Sequence, residues 1–238
     1  NVSYETKLRS YNADIALKKH FTALHQMSLN SENEKSKIKN AIWPQTHIES
    51  VAYLTDQQKP HMFYLPELLA FPVHSYDAHP WYKNVEGSFL SIKEELANIV
   101  DNVLDDGEPY LDKSFEQQGF KGLAGSKNWT ALHLYNNGVA NDELLQRMPL
   151  TSKLLDCLPL YELDGKPFEV FFSLLKAGQH IKPHYGLSNH SLTVHLPLVV
   201  PGDGYLRVAN KKVNWQEGQL IIFDDSFEHE AMNMSQED

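Results

Sequence analysis

The chain has 238 residues, of which 42% are hydrophobic and 22% charged, so it predicts a globular protein with a core and excludes a disordered or fibrous one. Its 31 acidic and 21 basic residues give a net charge of −10, which argues against nucleic acid as a partner. Cys157, the single cysteine, cannot form an internal disulfide, and no apolar run approaches the roughly 20 residues that cross a bilayer. We therefore expect a cytoplasmic protein without a membrane span.

Apolar residues recur at helical spacing near the N-terminus, for example at Leu17, Phe21 and Leu24. This pattern predicts two or three short helices over residues 1–45, which we assign to a helical N-terminal arm over residues 1–60. We interpret the arm as a cap on the main domain, and the alternative is an arm that binds a protein partner.

The middle of the chain predicts an irregular segment followed by a helix. Residues 60–83 spread four prolines among aromatic residues, which is typical of an extended segment on a surface. Residues 88–105 carry an apolar stripe at helical spacing, and Gly107 is placed to end that helix.

The second half of the chain has the spacing of a β protein. A strand begins at Trp129 and reaches the turn Asn136-Asn137-Gly138, and a helical region over 143–157 is interrupted near Pro149. Further strands, separated by glycine and proline turns, are expected at residues 167–176, 190–199, 204–209, 212–215 and 219–224. Many short strands predict a mainly β fold with flanking helices, a sandwich or jelly roll, over residues 61–238.

Five of the 12 histidines lie between positions 180 and 229, and imidazole is the commonest metal ligand. His180 and His184 are four residues apart, but Pro183 and Gly186 argue against a zinc-binding helix, so a turn or the start of a strand is expected. On a strand, His184 and position 186 share a face. Jelly-roll iron enzymes commonly have a carboxylate at the second of these positions, where this chain has glycine.

The strand at 190–199 alternates between apolar and polar residues. Its leucines and Val194 are expected in the core, which places Ser191, Thr193 and His195 on the opposite face. That face either lines a pocket or meets solvent.

A buried strand at Leu220–Phe223 leads into an acidic run from Asp224 to Glu230. His229 lies within this run, where carboxylates can orient its ring as they do beside metal ligands. The alternative is a solvated acidic turn without a function.

Five segments together resemble the aspartyl/asparaginyl β-hydroxylase family over roughly residues 115–238: Phe172–Gly178, His184–Gly186, His195–Leu198, Trp215–Gly218 and Phe223–Glu230. The stretch from Trp129 to Gly138 is also similar to the family. The resemblance implies a double-stranded β-helix, the cupin-like jelly roll. It also implies a dioxygenase that uses Fe(II), O₂ and 2-oxoglutarate, releases succinate and CO₂, and hydroxylates its substrate.

The resemblance also implies roles for individual residues. The family binds iron through two histidines without a carboxylate, so His184 and His229 would be the metal ligands and belong to the catalytic set. Ser173 would bind a carboxylate of 2-oxoglutarate. His195 would lie beside the iron as a catalytic and cosubstrate-binding residue, and Trp129 would lie on the substrate side.

This chain departs from the family at several positions. Thr193, on the cosubstrate side, stands where the family has an arginine, and Ser191, on the substrate side, stands where it often has another. Both departures favour a less anionic substrate than an aspartyl side chain. The strand after the acidic run, with the family's arginine for 2-oxoglutarate, is expected just beyond Asp238, so the domain is expected to be truncated there. Leu145 and Ser152 replace a cysteine pair of secreted members, which favours a cytoplasmic, bacterial-type relative.

These observations predict a hydroxylase that acts on a side chain of a peptide or protein, or on a small amino-acid-like molecule. One alternative is a non-catalytic jelly-roll binding protein with a degenerate metal site. A second alternative is a hydroxylase of lipid acyl chains, because the family includes such members.

Overall fold

The structure, a computed structural model, describes residues 41, 50–103, 107–118 and 120–236. The helices expected over residues 1–45 therefore lie, except for Ala41, outside the described residues. Residues 50–60, the described end of the expected arm, form turns and extended chain.

The helices lie in the first two thirds of the chain and agree with the sequence pattern. They are α1 (Tyr82–Gly87), α2 (Phe89–Val103), α3 (Asp142–Arg147) and α4 (Pro149–Leu155), with 3₁₀ turns at Tyr76–Ala78 and Lys113–Gln118. Helix α2 confirms the helix expected at 88–105. Pro149, which lacks an amide hydrogen, separates α3 from α4 and occupies the first turn of α4, where that hydrogen is not needed.

The strands form antiparallel sheets, so the described chain is mainly β, as the sequence predicts. Their bounds are β1 (Glu108–Pro109), β2 (Trp129–Asn136), β3 (Val139–Ala140), β4 (Glu162–Leu163), β5 (Lys166–Pro167), β6 (Glu169–Leu175), β7 (His180–His184), β8 (Thr193–His195), β9 (Gly204–Val208), β10 (Lys211–Asn214), β11 (Ile221–Phe223) and β12 (His229–Asn233). In one sheet β2 pairs with β1, β3 and β6, and a second sheet has the order β10-β9-β12-β7. Strand β8 pairs with β11, and β4 pairs with β5.

The strand expected at 190–199 is shorter than its sequence suggested, and one of its residues faces the other way. Only β8 forms, and Val194 is 40% exposed, whereas Thr193 and His195 on its other face are half-buried. Pro197 cannot donate a ladder hydrogen bond, which limits the strand on one side. The expectation that Val194 belongs to the core is therefore wrong.

The strand that follows the acidic run also differs from expectation. It begins at His229, as β12, and not beyond Asp238. Strand β12 forms at this position because it lies between β7 and β9 and satisfies hydrogen bonds on both of its sides.

The β2–β6 sheet packs one face against the helices around a buried cluster of Ile99, Leu134, Leu144 and Met148. Glu95 of α2 closes the start of α4. Its carboxylate accepts hydrogen bonds from the amide of Leu150 at 2.7 Å and from the amide and hydroxyl of Thr151 at 2.9 and 2.7 Å. A carboxylate at a helix N-terminus satisfies amides that have no partner within the helix.

The chain divides into two units. The larger unit comprises residues 72–184, 193–223 and 229–238 and contains every helix and strand named above. The smaller unit comprises the described residues up to 71, with residues 185–192 and 224–228. Within the described ranges, no helix has the length and apolar character that a membrane crossing needs.

Candidate metal centre

Two histidines face each other at one end of the β7–β12 pair. His184 is the last residue of β7, His229 is the first residue of β12, and the two are direct partners in the antiparallel register. Side chains of direct partners lie on the same face of a sheet. Their ring centroids are 4.1 Å apart, so the sheet brings these two imidazoles together.

The ring of His184 has a defined tautomer. Its Nδ1 lies 2.8 Å from the carbonyl oxygen of Lys182, and a carbonyl oxygen can only accept, so Nδ1 carries the hydrogen. In the neutral ring the lone pair is therefore on Nε2. A histidine ligand needs this arrangement, with one nitrogen held by a carbonyl and the other able to bind a metal.

The pair therefore fits a metal ion held by two histidines. A nitrogen ligand lies about 2.1 Å from a bound transition metal, a distance at which rings this close can share one ion. Among the described residues, no group of three or more His, Cys, Asp and Glu side chains could hold a metal. The donor set on this sheet is thus two imidazoles without a carboxylate.

Two aromatic rings pack around the histidine pair. Phe120 contacts the His184 ring edge-on at a centroid distance of 5.3 Å, and Phe223 lies 5.7 Å from the ring of His229. Phe223 also packs edge-on against His195 at 4.9 Å and therefore contacts both His229 and His195. Sequence reasoning did not identify Phe120, because it lies in an irregular segment where no periodic pattern marks a functional residue.

His195 is a neutral histidine at ordinary pH. Burial lowers the pKa of its ring to about 4, because an imidazolium would lose its hydration there. Thr193 lies two residues earlier on β8, on the same face, and pairs in register with Phe223. The polar face of β8, which the sequence left open between a pocket and solvent, is thus the inward face, with neutral hydrogen-bonding groups beside Phe223.

A side chain at position 186 would overlap the present position of the Asp225 carboxylate. A β-carbon on Gly186 would lie 2.5 Å from Cγ of Asp225 and 2.6 Å from both of its carboxylate oxygens. The main chains are close as well, because the Gly186 amide donates to the Asp225 carbonyl oxygen at 2.7 Å. Asp225 therefore occupies the space where a side chain at position 186 would begin.

The acidic run is not a solvated turn, so that alternative is wrong. Asp224 is 3% exposed and Ser226 is fully buried. Burial raises the pKa of Asp224, and hydrogen bonds from Ser226 and Gln58 oppose this effect without cancelling it.

Glu230 follows His229 on β12, and its side chain points to the opposite face of the sheet. It accepts hydrogen bonds from Nε of Arg207 at 2.6 Å and from Nε2 of His180 at 2.8 Å. Arg207 also donates to the carbonyl oxygen of Ala209 at 2.7 Å. The guanidinium of Arg207 is therefore committed to a network on the face away from the histidine pair.

Ser173 and Trp129 lie together on the β2–β6 sheet. The indole Nε1 of Trp129 donates to the Ser173 hydroxyl at 3.0 Å, and the Trp129 ring packs against Tyr110 at 4.4 Å. The side-chain amide of Asn233, at the end of β12, donates to the carbonyl oxygen of Leu175 at 2.9 Å and so links the two four-stranded sheets. Ser191, the other residue expected on the substrate side, belongs to the smaller unit and is half-buried.

Comparison with known proteins identifies the family to which the chain is similar. The family model described as aspartyl/asparaginyl beta-hydroxylase matches residues 86–238. Human aspartyl/asparaginyl beta-hydroxylase is 31% identical over 166 residues, which cover 68% of this chain and 22% of the human protein. The ornithine lipid ester-linked acyl 2-hydroxylase of Rhizobium tropici is 29% identical over 167 residues, which cover 68% of this chain and 55% of that protein.

A third relative, aspartate beta-hydroxylase domain-containing protein 2 of Xenopus tropicalis, is 31% identical over 177 residues, or 74% of this chain and 46% of that protein. The chain thus spans between about a fifth and about half of the length of these curated relatives. The match includes the β7–β12 pair and its two histidines.

Proposed function

Because the chain belongs to the aspartyl/asparaginyl β-hydroxylase family, we propose that it is an Fe(II)- and 2-oxoglutarate-dependent hydroxylase with His184 and His229 as its iron ligands. The observation that carries the proposal is the pair of imidazoles 4.1 Å apart, one of them held in the tautomer of a metal ligand. Iron bound there would supply the activation of O₂ that couples decarboxylation of 2-oxoglutarate to hydroxylation of the substrate.

The other residues expected at the site have side chains with the chemistry that this reaction needs. The Ser173 hydroxyl accepts from Trp129 and still has its own hydrogen, which we assign to a carboxylate of 2-oxoglutarate. Thr193 and neutral His195 offer hydrogen bonds without a charge on the inward face of β8. Phe120 and Phe223 cover part of the imidazoles with apolar rings, which limits the contact of the proposed metal site with water.

We also propose that the two four-stranded sheets belong to a double-stranded β-helix. The link from Asn233 to Leu175 and the antiparallel pairing of the twelve strands named above support this arrangement. A cytoplasmic location remains a prediction that rests on the single, exposed Cys157.

The proposed substrate is a side chain of a peptide or a small amino-acid-like molecule. Uncharged Ser191 and Thr193, at positions where the family has arginines, favour a substrate with less negative charge than aspartate. One observation favours the lipid alternative. Tyr110, Trp129 and Phe171 form a run of contacting rings, with centroids 4.4 and 5.1 Å apart, on the same face as Ser173, and one relative is named for hydroxylation of a lipid acyl chain.

The test is turnover of 2-oxoglutarate to succinate by purified protein with Fe(II) and O₂. We expect turnover in the wild type and in a control variant at an exposed histidine, His190→Ala, and none in His184→Ala or His229→Ala. Binding of Fe(II) with no turnover against panels of peptides, amino acids and lipids would favour the non-catalytic alternative. Failure of the wild type to bind metal would refute the proposal.

A further inference from the structure

Residues 57–65, which we name the clamp segment, are hydrogen-bonded to the turn that precedes His229. The amide of Lys59 donates to the carbonyl oxygen of Ser226 at 3.1 Å, and the amide of Glu228 donates to the carbonyl oxygen of Gln57 at 2.9 Å. Glu228 is joined to His229 by a peptide bond. The main chain that leads into one proposed ligand is thus held by a segment that lies outside the matched family region.

The same segment is hydrogen-bonded to the loop that follows His184. The amide of His61 donates to the carbonyl oxygen of Gly186 at 3.0 Å. Further along, the Asn189 side chain accepts from the amide of Leu65 at 2.7 Å and donates to its carbonyl oxygen at 2.9 Å. The clamp segment therefore connects the two chain segments that adjoin the two proposed ligands.

Gln58 is the residue of the clamp segment whose side chain enters the turn. It is 1% exposed, and its amide nitrogen donates to Oδ2 of Asp224 at 3.1 Å and to the hydroxyl of Ser226 at 3.0 Å. The hydroxyl and the amide of Ser226 both donate to Oδ1 of Asp224. One glutamine amide thus completes a closed set of hydrogen bonds around the Asp224 carboxylate.

The carbonyl oxygen of the Gln58 side chain lowers the stability of the fold. The Oε1 atom of Gln58 is buried and has no hydrogen-bond partner among the residues that the structure describes. A buried acceptor without a partner is unfavourable, so an apolar residue of the same shape would avoid this loss. The two hydrogen bonds that the NH₂ group of Gln58 donates to Asp224 and Ser226 better explain why a polar residue occupies this position.

We propose that Gln58 is a positioning residue of the metal centre, which fixes the turn from which His229 departs and thereby the approach of its ring to His184. The inference rests on the proposed function, because it takes these two histidines as the ligands. Two protein ligands constrain a metal less than three do. The main chain on both sides of the pair must therefore supply the rigidity that a third ligand would give.

The test compares Gln58→Met, which keeps the length and removes the donor, with two controls. Gln57→Met changes an exposed neighbour in the same segment. Thr151→Val removes one buried hydrogen bond, to Glu95, away from the two histidines. Each variant is titrated with Mn(II) and with Co(II), and the visible spectrum of the Co(II) form reports ligand geometry independently of activity. Thermal unfolding ranks the stability of the variants.

We expect Gln58→Met to bind both metals about 10–100-fold more weakly and to shift the Co(II) spectrum, as for residues that support metal ligands elsewhere. Both controls should keep wild-type affinity and spectrum, even where Thr151→Val unfolds at the same temperature as Gln58→Met. Equal affinity of Gln58→Met and wild type would overturn the inference and leave the proposed function standing.

A second measurement, on the metal-free protein, tests the clamp itself. Gln58→Met should accelerate amide hydrogen exchange over residues 224–229 more than over β9 and β10. Unchanged exchange in that turn would also overturn the inference. A wild type that binds no metal would refute the proposed function and with it the role of Gln58 at the site, whatever the exchange data show.

Discussion

Restoring a carboxylate at position 186 should weaken the metal site, although three-ligand iron enzymes have an acidic residue there. In Gly186→Asp the new β-carbon would lie 2.5 Å from Cγ of Asp225. Carbon atoms in contact are about 3.5–4.0 Å apart, so the overlap is about 1 Å or more. The Asp225 backbone is held, because the Gly186 amide donates to its carbonyl oxygen at 2.7 Å, so the overlap is relieved by rotation of the Asp225 side chain.

The expected magnitude follows from this overlap. Inserting atoms into a packed site costs about 1–3 kcal/mol of folding free energy, and the low end applies here because the overlapping atoms end one side chain that can rotate. Displacing a group that adjoins a metal ligand lowers metal affinity by about 10–100-fold. Gly186→Ala should lose about as much as Gly186→Asp, since the clash begins at the β-carbon, and the added negative charge beside Asp225 should make the aspartate variant somewhat worse.

Calorimetric titration with Mn(II) and chemical unfolding measure the two effects. Gly87→Ala is the matched control, because a β-carbon there would meet nothing within 4 Å, and it should be neutral or slightly stabilising. Adding Asp225→Ala to Gly186→Asp removes the three overlapping atoms and should recover stability. Tighter metal binding by Gly186→Asp alone, or unchanged stability of Gly186→Ala, would refute this account of the glycine.

Three further predictions concern stability. Glu95→Gln should destabilise the protein by about 1–3 kcal/mol in urea unfolding, because α4 loses a charged cap, whereas Glu94→Gln on the exposed face of α2 should change little. Glu230→Gln should lower the free energy of unfolding by about 1–2 kcal/mol, because it loses the charge-assisted hydrogen bond from Arg207. The variant should still bind metal normally, and weaker binding would show that the two faces of β12 are coupled. The lowered pKa of His195 means that the unfolded chain takes up a proton first as the pH falls below about 6.5, so stability is lost between pH 6.5 and 4. At pH 5 the wild type should have lost at most about 2 kcal/mol of unfolding free energy relative to His195→Gln. If the unfolding free energies of the two proteins change in parallel with pH, the prediction is wrong.

The sequence predicted those parts of the site that depend on local pattern. The buried strand that ends at Phe223, the helix α2 and the break at Pro149 each follow from spacing and residue type, and the structure has them. The resemblance also selected His184 and His229 from 12 histidines, and the structure places these two together.

The remaining features depend on partners that are distant in the chain. Alternation along β8 separates two faces, but which face is inward depends on its pairing with β11, and Val194 was therefore assigned to the wrong side. Phe120 and Gln58 have no local pattern at all. Each is defined by contacts with distant parts of the chain, Phe120 with His184 and Gln58 with Asp224 and Ser226, and a single sequence does not reveal such contacts.

The length of chain between Gln58 and its partner has a consequence for the order of folding. The glutamine amide and the Asp224 carboxylate are 166 residues apart, so the chain must close a very long loop before they meet. Contacts of such high sequence separation lose the most chain entropy and tend to form after the local ones. We therefore expect helices and hairpins to be present before the turn at His229 acquires its final shape, so that competence to bind metal is the last property the protein gains as it folds.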